Sequence, residues 1–201
     1  MQKQTKTKAV ASDLTIKEFC KLHEACEDGR EWALDNCKSL QECWEKLHAN
    51  SLIWVATRDG VLPDKQLRLF AVFCCRQIWH LMPDERSRNA VEVAEKHANG
   101  QATDEELDAA WTAADAVVLY TEEAAAWHAA RAVRAATYNV AWAAACTAAA
   151  AAAGAAARDA ADDVAGNAEY RAAQVAAQNT QAAWLRANTK PNFRKVNHER
   201  T

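Results

Sequence analysis

Between Ala109 and Ala187 the chain places 37 alanines in 79 residues, and no other feature narrows its folding options as much. Alanine has the highest helix propensity and a very small apolar side chain. Such a stretch therefore forms long helices whose backbones approach closely, and it buries little area per residue. Of the 201 residues 50% are hydrophobic, but 48 of these are alanine, which leaves only about a quarter of the chain strongly apolar. With 5 glycines and 3 prolines, the composition predicts an all-α helical bundle. It excludes a β-sandwich, a collagenous repeat and a Gly/Ser linker.

From Ala135 to Ala157 no charge appears for 23 residues, long enough to cross a bilayer. About two-thirds of the run is alanine, with Thr137, Asn139, Thr147 and Gly154 included. Its transfer energy falls far short of a Leu/Ile/Val span, so a close-packed helix outside the membrane is expected.

Punctuation divides the rest. Thr15 to Glu27 places Ile16, Phe19, Cys20, His23 and Cys26 near one helix face, with Gly29 as the expected residue after its C-cap and a short helix over 30–36. Ser39 with Glu42 reads as a capping box opening a helix to about His48, and Ser51 as the cap of Leu52–Ala56, stopped at Asp59-Gly60. Pro63 starts a helix to about Met82 that is apolar almost all round, the expected centre of the core. Pro83-Asp84 opens another over 85–98, closed by Asn99-Gly100, and Thr103 with Glu106 forms a second capping box. In the alanine region Trp111, Trp127 and Trp142 recur as anchors set into small-residue seams. Gly154 and Gly166-Asn167 are the expected interruptions, and a last helix is expected over 168–187. Residues 1–12 read as a flexible basic tail, 13–187 as a single all-α domain (head 13–100, alanine-rich helical array 101–187), and 188–201 as a second flexible basic tail.

The net charge of −3 with mixed signs gives no field for long nucleic acid. Seven cysteines, Cys20, Cys26, Cys37, Cys43, Cys74, Cys75 and Cys146, are odd in number. They follow a Lys/Gln/Thr-rich start with no signal-peptide pattern, so reduced thiols and a cytoplasmic setting are expected, in a bacterial cytosol or an infected bacterial host. Cys20, His23 and Cys26 share a helix face, but they lack the Cys-x-x-Cys knuckle of structural zinc and read as core thiols. Only Glu45-Lys46-Leu47-His48 fits the Glu-x-x-His pattern that a di-iron bundle needs twice. No Gly-x-Ser-x-Gly elbow and no glycine-rich phosphate loop occurs. The expectation is no enzyme, no metal and no cofactor. Threonines of the alanine region are spaced 9, 9, 16 and 10, which breaks the eleven-residue register of ice-binding helices.

Useful groups concentrate between Trp54 and Arg88. Arg58, Arg68, Arg76, Arg86 and Arg88 carry permanently charged forks, and Trp54, Trp79 and His80 supply stacking or hydrogen bonding. Arg86 and Arg88 stand in the first turns of a helix, where cations oppose the helix dipole, whereas Asp84 suits that end. Either these arginines pair with nearby carboxylates, or they form an anion or partner site. Arg131 and Arg134, with Tyr138 and Trp142 on an adjoining face, are candidates to complete such a pocket.

The stretches Leu52-Ile53-Trp54-Val55-Ala56, Asp64-Lys65-Gln66-Leu67-Arg68-Leu69-Phe70-Ala71, Cys74-Cys75-Arg76, Asp84 to Ala94 and Gly100-Gln101-Ala102-Thr103 carry a resemblance. Over roughly residues 30 to 135 the chain resembles the fifth family of immunity proteins of bacterial polymorphic-toxin systems, whose members also occur widely in bacteriophage genomes. Asp84 to Glu92 is its most distinctive part, with Ser87 where some members have proline between the arginines. The resemblance implies an all-helical, non-enzymatic protein of bacteria–phage conflict.

Two functions follow as expectations. One is a binding protein that neutralises a toxin or host-defence protein by occupying its surface through aromatic and Arg residues. The other is a sponge that sequesters a small anionic nucleotide signal in a pocket where the arginines converge. An exposed alanine face also allows a homodimer.

Overall fold

The computed structural model describes residues 13–118, 131–132, 141–158 and 163–194. Among them nine α-helices and one 3-10 turn form an all-α bundle: α1 (Ile16–Leu22), α2 (Glu27–Asn36), α3 (Leu40–Lys46), α4 (Ala49–Ala56), α5 (Asp64–Gln77), the 3-10 turn (Trp79–Leu81), α6 (Glu85–Ala98), α7 (Asp104–Val118), α8 (Ala141–Arg158) and α9 (Asp163–Asn188). No helix in the described residues is long and apolar enough to cross a membrane.

Helix α5 sits at the centre, as its all-round apolar pattern predicts. It buries Phe70, Ala71, Val72, Cys74 and Cys75 and packs against α6, α8 and α9. Helices α8 and α9 form the most extensive pair, an antiparallel seam of alanines in which Ala144, Ala145, Ala148, Ala149 and Ala182 are all 2% exposed or less. Buried methyl groups let the two backbones close. Three larger side chains of α9 then fix the seam to its surroundings. Leu185 is fully buried, Trp184 stacks on Phe73 at 5.2 Å and tilts on Phe70 at 5.7 Å, and the buried Gln181 amide donates to the Ala145 carbonyl at 3.1 Å. Half-buried Arg186 reaches back to the head, donating through Nε to the Trp44 carbonyl (3.2 Å) and through Nη2 to that of Leu47 (2.7 Å). It thereby satisfies carbonyls that the end of α3 leaves without intrahelical partners.

Local caps follow the sequence where one side chain decides them. Thr15 and Glu18 form a reciprocal capping box on α1, as do Thr103 and Glu106 on α7. The Ser39 hydroxyl accepts from Glu42 N, but the Glu42 carboxylate accepts from Lys38 N instead of closing the box. Asp84 caps α6 through Arg86 N, and Asn99-Gly100 ends that helix with Gly100 at φ +71°.

Several expected boundaries move. The long helix read to about Met82 breaks at Ile78 into the 3-10 turn. Ser51 lies inside α4, which His48 precedes as N-cap, and Gly166 and Asn167 are absorbed into the first turns of α9. Gly29 lies inside α2. The residue that turns the chain after α1 is Glu24 at φ +51°, with Ala25 N donating to the Cys20 carbonyl at 2.9 Å. This is the bond that closes a Schellman motif, a place usually given to glycine. The tail reading of 188–201 is corrected over its first residues. Phe193 is 8% exposed and contacts Phe19 and Trp44 edge-on. Leu14 N donates to the Phe193 carbonyl and Asn192 N to that of Val61. An aromatic residue after Pro191 thus seals the seam between α1 and α3, which the surrounding basic residues conceal in the sequence.

Candidate functional site

The structure separates what the sequence grouped. Arg58 lies over the Trp54 ring at 4.7 Å and donates through Nε to the Trp54 carbonyl at 3.0 Å, an arrangement local to the end of α4. Arg68 is half-buried on α5, where burial lowers its pKa and Asp64 and Asp104 oppose that shift. Arg86 folds back onto its own N-cap and contacts Asp84 through Nε (3.0 Å) and Nη2 (2.7 Å). Its side-chain hydrogen bonds hold the Asp84 carboxyl below the usual carboxylate range. The cation that seemed misplaced at a helix start therefore fixes the anion that belongs there. His80 is exposed on the 3-10 turn. Arg131 is exposed, while Arg134 and Tyr138 lie outside the described residues, as does the Trp142 side chain.

Three elements do come together. The break at Ile78 swings Trp79 between the end of α5 and the start of α6. There the guanidinium carbons of Arg76 and Arg88 stand 5.0 and 5.8 Å from its ring centroid. Arg76 pairs with Glu95 and Arg88 with Glu85 at 3.1 Å. Trp79 is half-buried, so the cluster is a surface of one indole flanked by two cations, each with its own carboxylate. Cation–π contact holds the guanidinium planes against the ring.

A second feature went unread in the sequence. Helices α1 to α4 form the walls of a partly open cavity of about 570 Å3. Phe19, Trp32, His48 and Trp54 are among its walls, and Glu24 and Asp28 bring carboxylates to it. Trp54 meets Phe19 edge-on at 6.5 Å, and Trp32 lies 5.9 Å from His48. None of the candidate arginines lines this cavity. Each wall residue resembles ordinary core by its spacing. The available signal was the surplus of aromatic and thiol groups in short helices with too few partners to cover them.

Two thiols of this region, Cys20 and Cys43, are buried. Burial raises the pKa of Cys20, and burial together with the hydrogen bond that the Cys43 thiol donates to Cys37 pushes Cys43 up to about 12. Both stay protonated and weakly nucleophilic. Cys26, the N-cap of α2, is exposed. Cys20 and Cys26 are close enough for the one to raise the pKa of the other, but among the described residues no group of three or more His, Cys, Asp or Glu side chains could hold a metal ion. Cys74 and Cys75 are buried within α5, and burial raises both pKa values.

No family model, no curated protein and no solved structure matches the chain.

Proposed function

We propose that the chain is a non-enzymatic binding protein of bacteria–phage conflict that neutralises a toxin or host-defence protein by occupying its surface. The conflict setting comes from the resemblance around Asp84 to Glu92. The mode of binding rests on one observation, the Arg76–Trp79–Arg88 cluster with its paired carboxylates Glu95 and Glu85. A half-buried indole bracketed by guanidinium planes is the side-chain chemistry that dominates protein–protein contacts, and charges of both signs on one patch suit a mixed-charge protein face.

The alternative, a sponge for an anionic nucleotide signal, needs several cations with unspent charge turned into one cavity. Arg76, Arg86 and Arg88 instead each hold a carboxylate, and the head cavity has carboxylates and no arginine among its walls. A ligand with two phosphates gains little from guanidinium groups already neutralised.

The test is growth rescue of bacteria expressing a panel of toxins and defence effectors. Rescue by the chain, lost in a folded Trp79→Ala or Arg88→Ala variant, supports the reading. Truncating a central contact of this kind costs about 2 kcal/mol or more, roughly a thirtyfold weaker Kd. Binding of a cyclic dinucleotide or oligonucleotide signal by calorimetry, with a matching rise in Tm, would overturn it in favour of the sponge.

A further inference from the structure

We infer that the cavity walled by α1 to α4 is a binding site for a small organic cation, a protonated amine carried on a flat aromatic body. This site goes beyond the protein-binding reading. None of Arg76, Trp79, Arg88, Glu85 or Glu95 lines it.

Size comes first. A space of about 570 Å3 falls within the range of small-molecule sites, which are mainly apolar with a few placed polar groups. This one has the rings of Phe19, Trp32, Trp54 and His48 in its lining. Indole and phenyl faces attract cations as well as apolar rings, and surrounding an ammonium with several of them is the chemistry of aromatic cages.

Charge then selects among apolar ligands. Glu24 and Asp28 line the cavity, and no Lys or Arg does. Two guanidinium groups of the neighbourhood are committed elsewhere: Arg58 is held over Trp54 and bound to the Trp54 carbonyl, and Arg30, whose charge reaches the lining Cys20, pairs with Glu27. An anionic ligand would meet two carboxylates with no partner for its own charge, whereas an ammonium gains both.

The backbone supplies an independent reason to single out Glu24. Two helices end on the same closing bond, α6 through Gln101 N to the Lys96 carbonyl and α1 through Ala25 N to the Cys20 carbonyl. In α6 the left-handed position is Gly100 at φ +71°, and in α1 it is Glu24 at φ +51°. Glutamate is not favoured there by local conformation, since glycine and asparagine tolerate the left-handed region best. Helix termination therefore does not account for Glu24, whereas a role for an acidic residue in the cavity lining does.

The experiment uses the full chain and three matched probes: 2-(1-naphthyl)ethylamine, the neutral 1-ethylnaphthalene and the anionic 1-naphthylacetate. Calorimetry is expected to show the amine binding tightest and the carboxylate weakest. The amine should also slow alkylation of exposed Cys26, which lines the cavity, by N-ethylmaleimide. Glu24→Gly relieves the left-handed strain, so the variant should melt higher while binding the amine up to about fivefold more weakly, the span of one exposed ion pair. Asp28→Asn is the second variant, with the same loss for the amine and none for the neutral probe. Equal affinity for amine and carboxylate, or unchanged amine affinity in both variants, would overturn the inference. So would a cavity that takes no probe at all, including one whose Cys26 is shielded only by a protein partner.

Discussion

The head and the alanine hairpin are both helix packed on helix, but they hold together by opposite means. In the head, large side chains fill the interior: Trp44, Phe70, Leu52, Ile53 and Ile78 are all 2% exposed or less. Among the described residues of α8 and α9 the buried interior is mainly methyl groups, with Gln181, Trp184 and Leu185 standing out in size. Each buried methyl removes little area from water, so the hairpin draws its stability from close backbone approach, from the packing of α8 on α5 and of α9 on α4 and α5, and from the Arg186 tie to α3. Excess volume is harmful in one region and missing volume in the other.

Removing volume from the head is expected to have the largest effect. Trp44 is 1% exposed and touches Phe193, so Trp44→Ala leaves a hole that α3 and the returning C-terminal segment cannot both close. The expected loss is about 3 to 5 kcal/mol, read as a drop in the denaturation midpoint. A loss under about 1 kcal/mol would mean the head is as loosely filled as the alanine seam.

The tie between the regions comes next. Arg186→Ala strips two charge-assisted hydrogen bonds from the Trp44 and Leu47 carbonyls, with an expected cost of about 1.5 to 3 kcal/mol. Because the lost bonds belong to the C-terminal end of α9, hydrogen exchange should rise in α9 before it rises in α5. Uniform exchange across both would show that one cooperative unit absorbs the change and that the two regions are not separable.

Adding volume tests the seam itself. Ala148 is 1% exposed on α8, which packs on both α5 and α9, so Ala148→Leu must push α8 away from a neighbour or leave rotamer minima, at about 1 to 3 kcal/mol. The control is Leu47→Met in the half-buried margin of the head, where a flexible side chain of similar volume should change stability by less than about 1.5 kcal/mol. If Ala148→Leu proved neutral, the seam would contain space, and the alanines would be explained by helix propensity alone.

How far the sequence reveals all this depends on the range over which each feature is decided. Thr15, Ser39, Thr103 and Gly100 act within one turn of their own helix, and their caps were legible as spacing. The central place of α5 was legible too, because no exposed helix has that many apolar faces. Gly29, Ser51 and Gly166 read as boundaries but lie inside α2, α4 and α9, since one such residue costs a helix only about 1 kcal/mol and its flanking residues outweigh it. Phe193 escaped because its partners Phe19 and Trp44 lie far away in sequence. For the site, the arginines were visible as residue types but their pairing was not. Arg86 turns onto Asp84 within the N-cap of its own helix, and the turn of Trp79 between Arg76 and Arg88 depends on the break at Ile78, which the apolar period runs straight through. The head cavity is a property of four helices at once, and no local pattern announces it.

The smallest expected effect is a pH dependence that also separates the regions. His23, at the C-cap of α1, has its pKa lowered first by burial and then by the nearby Arg58 charge, which outweighs Asp59. In the unfolded chain an ordinary histidine titrates near 6.5, so below that pH the unfolded state takes up a proton that the folded state resists. Stability is then full above about pH 7 and falls as the pH drops through the unfolded value. Asp84, whose pKa is lowered by its hydrogen bonds to Arg86, acts in the same direction at lower pH, its contribution fading only below the ordinary carboxylate range near 4. Both groups belong to the head. Denaturation at pH 7.5 and 5.5 should therefore show a small loss that His23→Gln abolishes, with hydrogen exchange rising in α1 and α4 and unchanged in the alanine seam. A loss of equal size in His23→Gln would assign the acid sensitivity to other groups. A rise in exchange that begins in α8 and α9 would place it in the hairpin, against the division drawn between the two regions.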